Sequence, residues 1–291
     1  MFWVLTILTI AIVWSLRRLR PLISHAQVER LKRFHSSLSA DREKVVICLG
    51  DSLTRGNMSF DYVDALARRL EPSGYTVLNA GVNGELTWNI LQRIDTITEA
   101  EPATVALWAG THDARACESD SEAARYVRQK KLPQVPDEEF FRVNYMKILD
   151  RLAEIPRVKI LLLSLPPLGE LGGSQADTYL ERFNALIEGE AHARGFQFLP
   201  IARLLRENLL ADPPEAAPIY SDRASRALGI RAAFYHYLLG WRWNRVSAHH
   251  GMKLLTDMIH LNARAGEMVV DGVEEAIRAN SAERLDSSGS E

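Results

Sequence analysis

Apolar positions along this chain follow two alternating rhythms. Five short runs are apolar almost without interruption: KVVICLG (44–50), YTVLNAG (75–81), TVALWAG (104–110), VKILLLSLPP (158–167) and FQFLP (196–200). Between them the apolar positions recur at helical spacing. In FDYVDALARRL (60–70), Tyr62, Leu66 and Leu70 share one face. The same rhythm runs through TWNILQRIDTITEA (87–100), EEFFRVNYMKILDRLAEI (138–155), DTYLERFNALIEGEAHARG (177–195) and GEMVVDGVEEAIRA (266–279). Near-continuous apolar strands alternating with helices predict a parallel sheet covered on both faces. The expected fold class is therefore α/β, in three α/β/α layers around about five parallel strands. Gly195 stands where that helix needs a C-cap.

Two segments exceed a minimal connection. One is 112–137, charged and proline-containing. The other, 212–250, carries APIYSDRASRALGIRAAFYHYLLGWRWNRVSAHH. Long insertions in such folds gather at the strand ends where ligands bind. The aromatic stretch 234–243, with arginines around it, reads either as a core helix or as a lid facing an interface.

The N-terminus departs from the globular pattern. Residues 1–16, MFWVLTILTIAIVWSL, carry no charged side chain, and RRLR follows at 17–20. As a helix this run would reach about 24 Å, slightly short of a usual span. Positive charge follows the apolar run, whereas a cleaved signal peptide places it before. The expectation is an uncleaved hydrophobic anchor helix over 1–20, touching the membrane through 1–16. The arginines then put the main domain on the cytoplasmic side. A cleaved signal, giving a secreted or periplasmic protein, is the alternative. Residues 21–43 read as a helical stalk or packing helix, 44–280 as one domain, and 281–291 as a disordered tail.

Composition narrows the function classes. Of 291 residues, 47% are hydrophobic and 25% charged, so a substantial core is affordable. A net charge of −2 gives no footprint for nucleic acid. Two cysteines, Cys48 and Cys117, are too few for a disulfide framework. Neither C-x-x-C nor H-E-x-x-H occurs, and His249 and His250 read as loop or helix-start residues, so no metal is expected.

Ligands of an open α/β sheet collect outside the carboxyl ends of its strands. Three strand ends here carry short polar turns: Gly50-Asp51-Ser52, Asn79-Ala80-Gly81 and Gly110-Thr111-His112-Asp113. Farther on come Asp257 and His260, three residues apart. A carboxylate so placed can fix an imidazole tautomer, leaving the other nitrogen to take a proton from a serine. A lone Asp-x-x-His is more often a surface pair. Beside GDSLTRG the balance reverses.

With those blocks in hand, the chain resembles the GDSL or SGNH hydrolase family. GDSLTRG (50–56), NAGVNG (79–84), GTHD (110–113) and DMIH (257–260) stand in the family's order, over roughly 44–280. The resemblance implies a flavodoxin-like SGNH fold. It implies Ser52 as nucleophile, His260 as general base and then acid, and Asp257 as its orienting partner. It implies oxyanion donors at the N–H groups of Ser52 and Gly81, with Asp51 and Asp113 supporting the site. One position departs: where the family has Asn in the third block, this chain has His112. That leaves a substituted donor, a weaker enzyme or a degenerate site, and the intact Ser52, Asp257 and His260 favour the first. The expected activity is cofactor-free hydrolysis of a carboxylic ester, on a lipid or an acetylated carbohydrate, through an acyl-serine. An acyltransferase and a non-catalytic binding protein are the alternatives.

Overall fold

The computed structural model describes residues 42–288. The expected anchor over 1–20, and the stalk as far as residue 41, lie outside the described residues. Among the described residues no helix is long and apolar enough to cross a membrane.

Five strands form one sheet in the order β2-β1-β3-β4-β5. They are β1 (Val45–Gly50), β2 (Thr76–Gly81), β3 (Thr104–Trp108), β4 (Lys159–Leu163) and β5 (Gln197–Leu199). Every pairing is parallel. β1 and β3 are buried along their whole length, as their unbroken apolar runs require, and the edge strands β2 and β5 are only partly covered.

Helices cover both faces. On one lie α2 (Tyr62–Leu70), α9 (Ile201–Ala211) and α12 (Ala263–Ser288). On the other lie α3 (Thr87–Leu91), α7 (Glu138–Ala153) and α8 (Gln175–Arg194). Their starts are fixed by side-chain caps that satisfy free amides: Asp61 for α2, Asp137 for α7, and Ser174 with Asp177 as a capping box for α8. Gly195, at φ 69°, closes α8.

Two elements differ from the periodicity. The single helix expected over 87–100 is α3 followed by a separate turn, α4 (Asp95–Thr98). Its β-branched residues are weak helix formers. In the break, Arg93 sends its guanidinium to Ala80 O (2.9 Å) and Gly50 O (3.3 Å), bracing the ends of β1 and β2. The last helix, α12, continues to Ser288, through most of the segment expected to be a disordered tail. Its Ala, Glu, Arg and Leu are good helix formers.

The two insertions are helical. The first holds α5 (Thr111–Ala116) and α6 (Asp120–Lys130), and the second holds α10 (Asp222–Ala233), a π-turn (Phe234–Leu238) and α11 (Trp243–His249). The aromatic stretch is partly core. Ala232, Tyr237, Trp243 and Val246 form a small buried cluster, while Ile230, Phe234 and Leu239 face outward.

The chain runs β1 to β2, then crosses back over β1 to β3. The loops after β1 and β3 therefore leave the sheet in opposite directions and open a crevice between them. Close packing at that crevice makes Gly50 necessary. A methyl there would strike Trp108 O and the Thr54 hydroxyl. Gly50→Ala should cost about 2–3 kcal/mol, read as a lower urea midpoint with unchanged slope.

Candidate active site

The nucleophile position is built by a strand end and one turn of helix. β1 stops at Gly50, and Asp51 caps α1 (Ser52–Arg55) by accepting from Leu53 N at 2.9 Å. Gly56, at φ 75°, ends the turn. Ser52 is thus the first residue of a helix, buried, with its own N–H unpaired among the described residues. Asp51 is enclosed, and its Oδ2 has no hydrogen-bond partner among the described residues. Burial pushes its pKa up to about 7, despite the bond from Leu53.

His260 reaches the serine from far along the chain. Its Nε2 lies 2.9 Å from Ser52 Oγ, and its Nδ1 lies 2.7 Å from Asp257 Oδ2. Asp257 Oδ1 also accepts from His260 N (2.9 Å) and Ile259 N (3.2 Å). Burial alone would raise the Asp257 pKa, but His260 and these donors outweigh it and hold the carboxyl below its ordinary value. With its Nδ1 against the Asp257 carboxylate, the imidazole turns Nε2 toward Ser52.

The loop carrying this pair is laced from several sides. Thr256 N donates to His260 O (2.7 Å), and Asn262 N to Leu254 O (2.8 Å). Met258 sits between Asp257 and His260 at φ 74°, left-handed for a side chain that is fully buried. Its carbonyl accepts from Gly169 N (2.8 Å). Glu170 accepts three amides in a row, from Lys253 (2.7 Å), Leu254 (2.6 Å) and Leu255 (2.7 Å). His250 Nδ1 donates to Thr256 O (2.6 Å). Ser59 Oγ accepts from Leu261 N (2.9 Å), tying this loop to the one after β1. Sequence reasoning missed Glu170 and set His250 aside. Their partners are backbone amides and carbonyls, which leave no mark in a motif.

The third block follows β3. Gly110, at φ 130°, turns the chain into α5, and His112 Nε2 comes to 3.5 Å from Ser52 Oγ. That is long for a hydrogen bond to the resting hydroxyl. His112 Nδ1 lies 2.7 Å from the Tyr126 hydroxyl and 3.3 Å from Arg115 Nη1. Burial, then the Arg115 cation, hold the His112 pKa well below the ordinary imidazole value. Asp113 points away from the serine, accepting from Thr87 N (3.0 Å) and Thr87 Oγ1 (2.7 Å), and so joins α5 to α3. Burial raises its pKa to about 6, with the Thr87 bonds acting the other way.

Gly81 does not fit the role expected of it. Its N–H donates to Asn79 Oδ1 at 2.9 Å, and Asn79 in turn bonds Thr54 O (2.7 Å). A side chain at 81 would strike the backbone at Arg55, so this glycine serves close approach of β2 to α1. In the following turn Gly84 has φ 72°, and its N–H has no acceptor among the described residues. Lys130 Nζ donates to Asn83 O (2.8 Å) and holds that turn.

Two outcomes follow from these bonds. Glu170→Ala should leave three amides without their acceptor, cost about 3 kcal/mol or more, and lower activity by loosening the 253–262 loop; chemical denaturation checks the first and ester turnover the second. Asp51→Asn keeps a capping side chain but cannot ionise. The native carboxyl binds its proton more tightly than the unfolded one, so its stabilising contribution is present below about pH 4 and is lost as pH rises to about 7. The variant's melting temperature should therefore gain on the parent's between about pH 4 and 7, with a constant gap above. Thermal melts across that range measure it.

The GDSL-like Lipase/Acylhydrolase family model matches residues 48–265. Among solved structures, a GDSL-like lipase from Bacteroides thetaiotaomicron is 17% identical, with a TM-score of 0.54, covering 88% of this chain and 100% of its own. The acetyl xylan esterase AlAXEase is 19% identical with a TM-score of 0.53, over 80% of this chain and 98% of its own. An acetylxylan esterase from Geobacillus stearothermophilus is 11% identical with a TM-score of 0.54, over 80% and 94%. At these identities the structural likenesses speak for the fold. No curated protein sequence matches the chain significantly. On the strength of the family match across most of its length, with the four blocks arranged around one crevice, the chain belongs to the GDSL-like lipase/acylhydrolase family.

Proposed function

We propose that this protein is a serine ester hydrolase that works through an acyl-Ser52 intermediate. The observation that carries the reading is the unbroken relay Ser52 Oγ–His260–Asp257, at 2.9 and 2.7 Å, with the carboxylate held ionised. Ser52 Oγ attacks the ester carbonyl while His260 Nε2 takes its proton. The carbonyl oxygen becomes an oxyanion. The N–H of Ser52, the N–H of Gly84 and His112 Nε2–H are its donors in this reading. Gly84 replaces Gly81 because the Gly81 amide is already engaged by Asn79. Collapse of the tetrahedral species breaks the ester C–O bond, and His260 hands its proton to the leaving alcohol. Water, deprotonated by the same imidazole, then attacks the acyl-serine, and a second collapse frees the carboxylic acid and Ser52.

The substrate class in this reading is a carboxylic ester, and a short acyl group on a carbohydrate is the first choice. Two of the structural neighbours are acetyl xylan esterases. A lipid ester is the second reading, supported by the outward Ile230, Phe234 and Leu239 of the 212–250 insertion. The uncharged run at 1–16 followed by RRLR supports attachment to a membrane, with the domain on the arginine side.

The full chain should hydrolyse p-nitrophenyl esters, and Ser52→Ala should abolish that activity. Loss of one donor costs about 10²–10³ in kcat at comparable sites, so His112→Ala should fall by that factor and His112→Asn should recover most of it. A rate that drops from acetate to palmitate selects the carbohydrate ester, and the reverse order selects the lipid. Turnover that survives Ser52→Ala would reject the serine mechanism.

A further inference from the structure

The replacement of an amide by an imidazole at position 112 creates a requirement that an amide does not have. An asparagine always offers an N–H. A neutral histidine offers one on only one of its two nitrogens, so it can donate toward Ser52 only as the Nε2–H tautomer. Something must choose that tautomer.

We propose that Arg115 and Tyr126 are positioning residues for the oxyanion site, holding His112 with its proton on Nε2 and its Nδ1 as an acceptor. This rests on the reading of His112 as a donor and adds the machinery that makes it one. A guanidinium has donors and no acceptor. Arg115 Nη1 stands 3.3 Å from His112 Nδ1, so a proton on Nδ1 would face another N–H. The Tyr126 hydroxyl, 2.7 Å from the same nitrogen, can then only donate to it. With two donors on Nδ1, the single proton of the neutral ring belongs on Nε2, the atom that faces Ser52 Oγ. The Ser52 proton is directed to His260 Nε2, so the serine oxygen presents no competing donor toward His112.

Arg115 itself has little freedom. Its Nε donates to the Tyr220 hydroxyl (3.1 Å), and its Nη2 pairs with Asp222, the first residue of α10. Asp222 also pairs with Arg226 and lies 3.6 Å from Arg125, whose guanidinium covers the Tyr126 ring at 4.3 Å. Both groups that act on Nδ1 are thus held by one ionic cluster centred on the buried Asp222. The charged groups around the imidazole are Arg115, Lys130 and Arg125, with His260 across the serine. Together with burial, which comes first, they oppose a second proton on the ring.

The tautomer can be read without any turnover. In the full chain labelled with ¹⁵N at histidine, long-range ¹H–¹⁵N spectra distinguish Nε2–H, Nδ1–H and doubly protonated rings, and His112→Asn assigns the signal. The expected result is an Nε2–H ring at neutral pH that stays neutral as far down as the protein remains folded. A ring protonated on Nδ1, or on both nitrogens at neutral pH, overturns the assignment.

Function is tested by a double-mutant cycle on p-nitrophenyl acetate. Tyr126→Phe should lower kcat about three- to tenfold with KM unchanged, and should do almost nothing in the His112→Asn background, where no tautomer exists. Equal losses in both backgrounds would make Tyr126 merely structural. Arg115→Gln, which keeps a donor but removes the cation, should retain the Nε2–H pattern at neutral pH and bring ring protonation into the accessible pH range. If it does not, Arg115 has no electrostatic part. Failure of the underlying reading looks different: the Nε2–H ring would be seen, yet His112→Ala would leave kcat unaltered, ending the positioning role.

Discussion

Parallel pairing of β1 on both sides is the constraint from which the site follows. Gly50 lies opposite Gly81 on one flank and opposite Trp108 on the other. That register ends all three strands at one level, and the chain's return across β1 sends the following loops apart. Ser52 and His112, 60 residues apart in sequence, become neighbours for this reason and no other. The sheet needs small residues where backbones crowd, and Gly50 and Gly81 meet that need. Gly81 serves packing, and a glycine in a catalytic block need not be a donor.

The site then sets its carboxylates in opposite electrostatic conditions within a few residues. Asp257, Asp51 and Asp113 are all buried. Asp257 faces an imidazole and two amides, and its charge is favoured. Asp51 has the Leu53 amide and, among the described residues, an oxygen with no hydrogen-bond partner, and Asp113 has neutral donors, Thr87 first among them, so burial prevails at both. Depth therefore does not decide which carboxylate is charged; the donors around it do. Of these three carboxylates, Asp257 is the one that hydrogen-bonds an imidazole as well as backbone amides.

Much of this was legible in the chain itself. The strands stood out because a sheet covered on both faces demands continuous apolar runs, and all five lie within the stretches that the pattern marked. Ser52, Asp257 and His260, which the fold brings together, were readable because they stand in blocks whose residue types and order resemble a family's. What the sequence hid depends on contacts between distant elements. Glu170 sits 83 residues before the first amide it accepts, and Arg115 stands 107 residues from Asp222. The break between α3 and α4 was equally hidden, since Arg93 bonds the carbonyls of two strands and the helical rhythm of 87–100 carries no trace of that. Gly81 was misread because a local block cannot say which amide a neighbouring Asn79 will claim.

The position of α10 bears on how molecules reach the serine. Gly229 lies so near the relay that a methyl on it would sit 3.1 Å from Asp257 Oδ2. At its first residue the same helix neutralises Arg115. To swing this segment away like a door would expose one buried carboxylate and strand one buried guanidinium, a cost of several kcal/mol. These contacts tie α10 to the crevice and oppose its displacement.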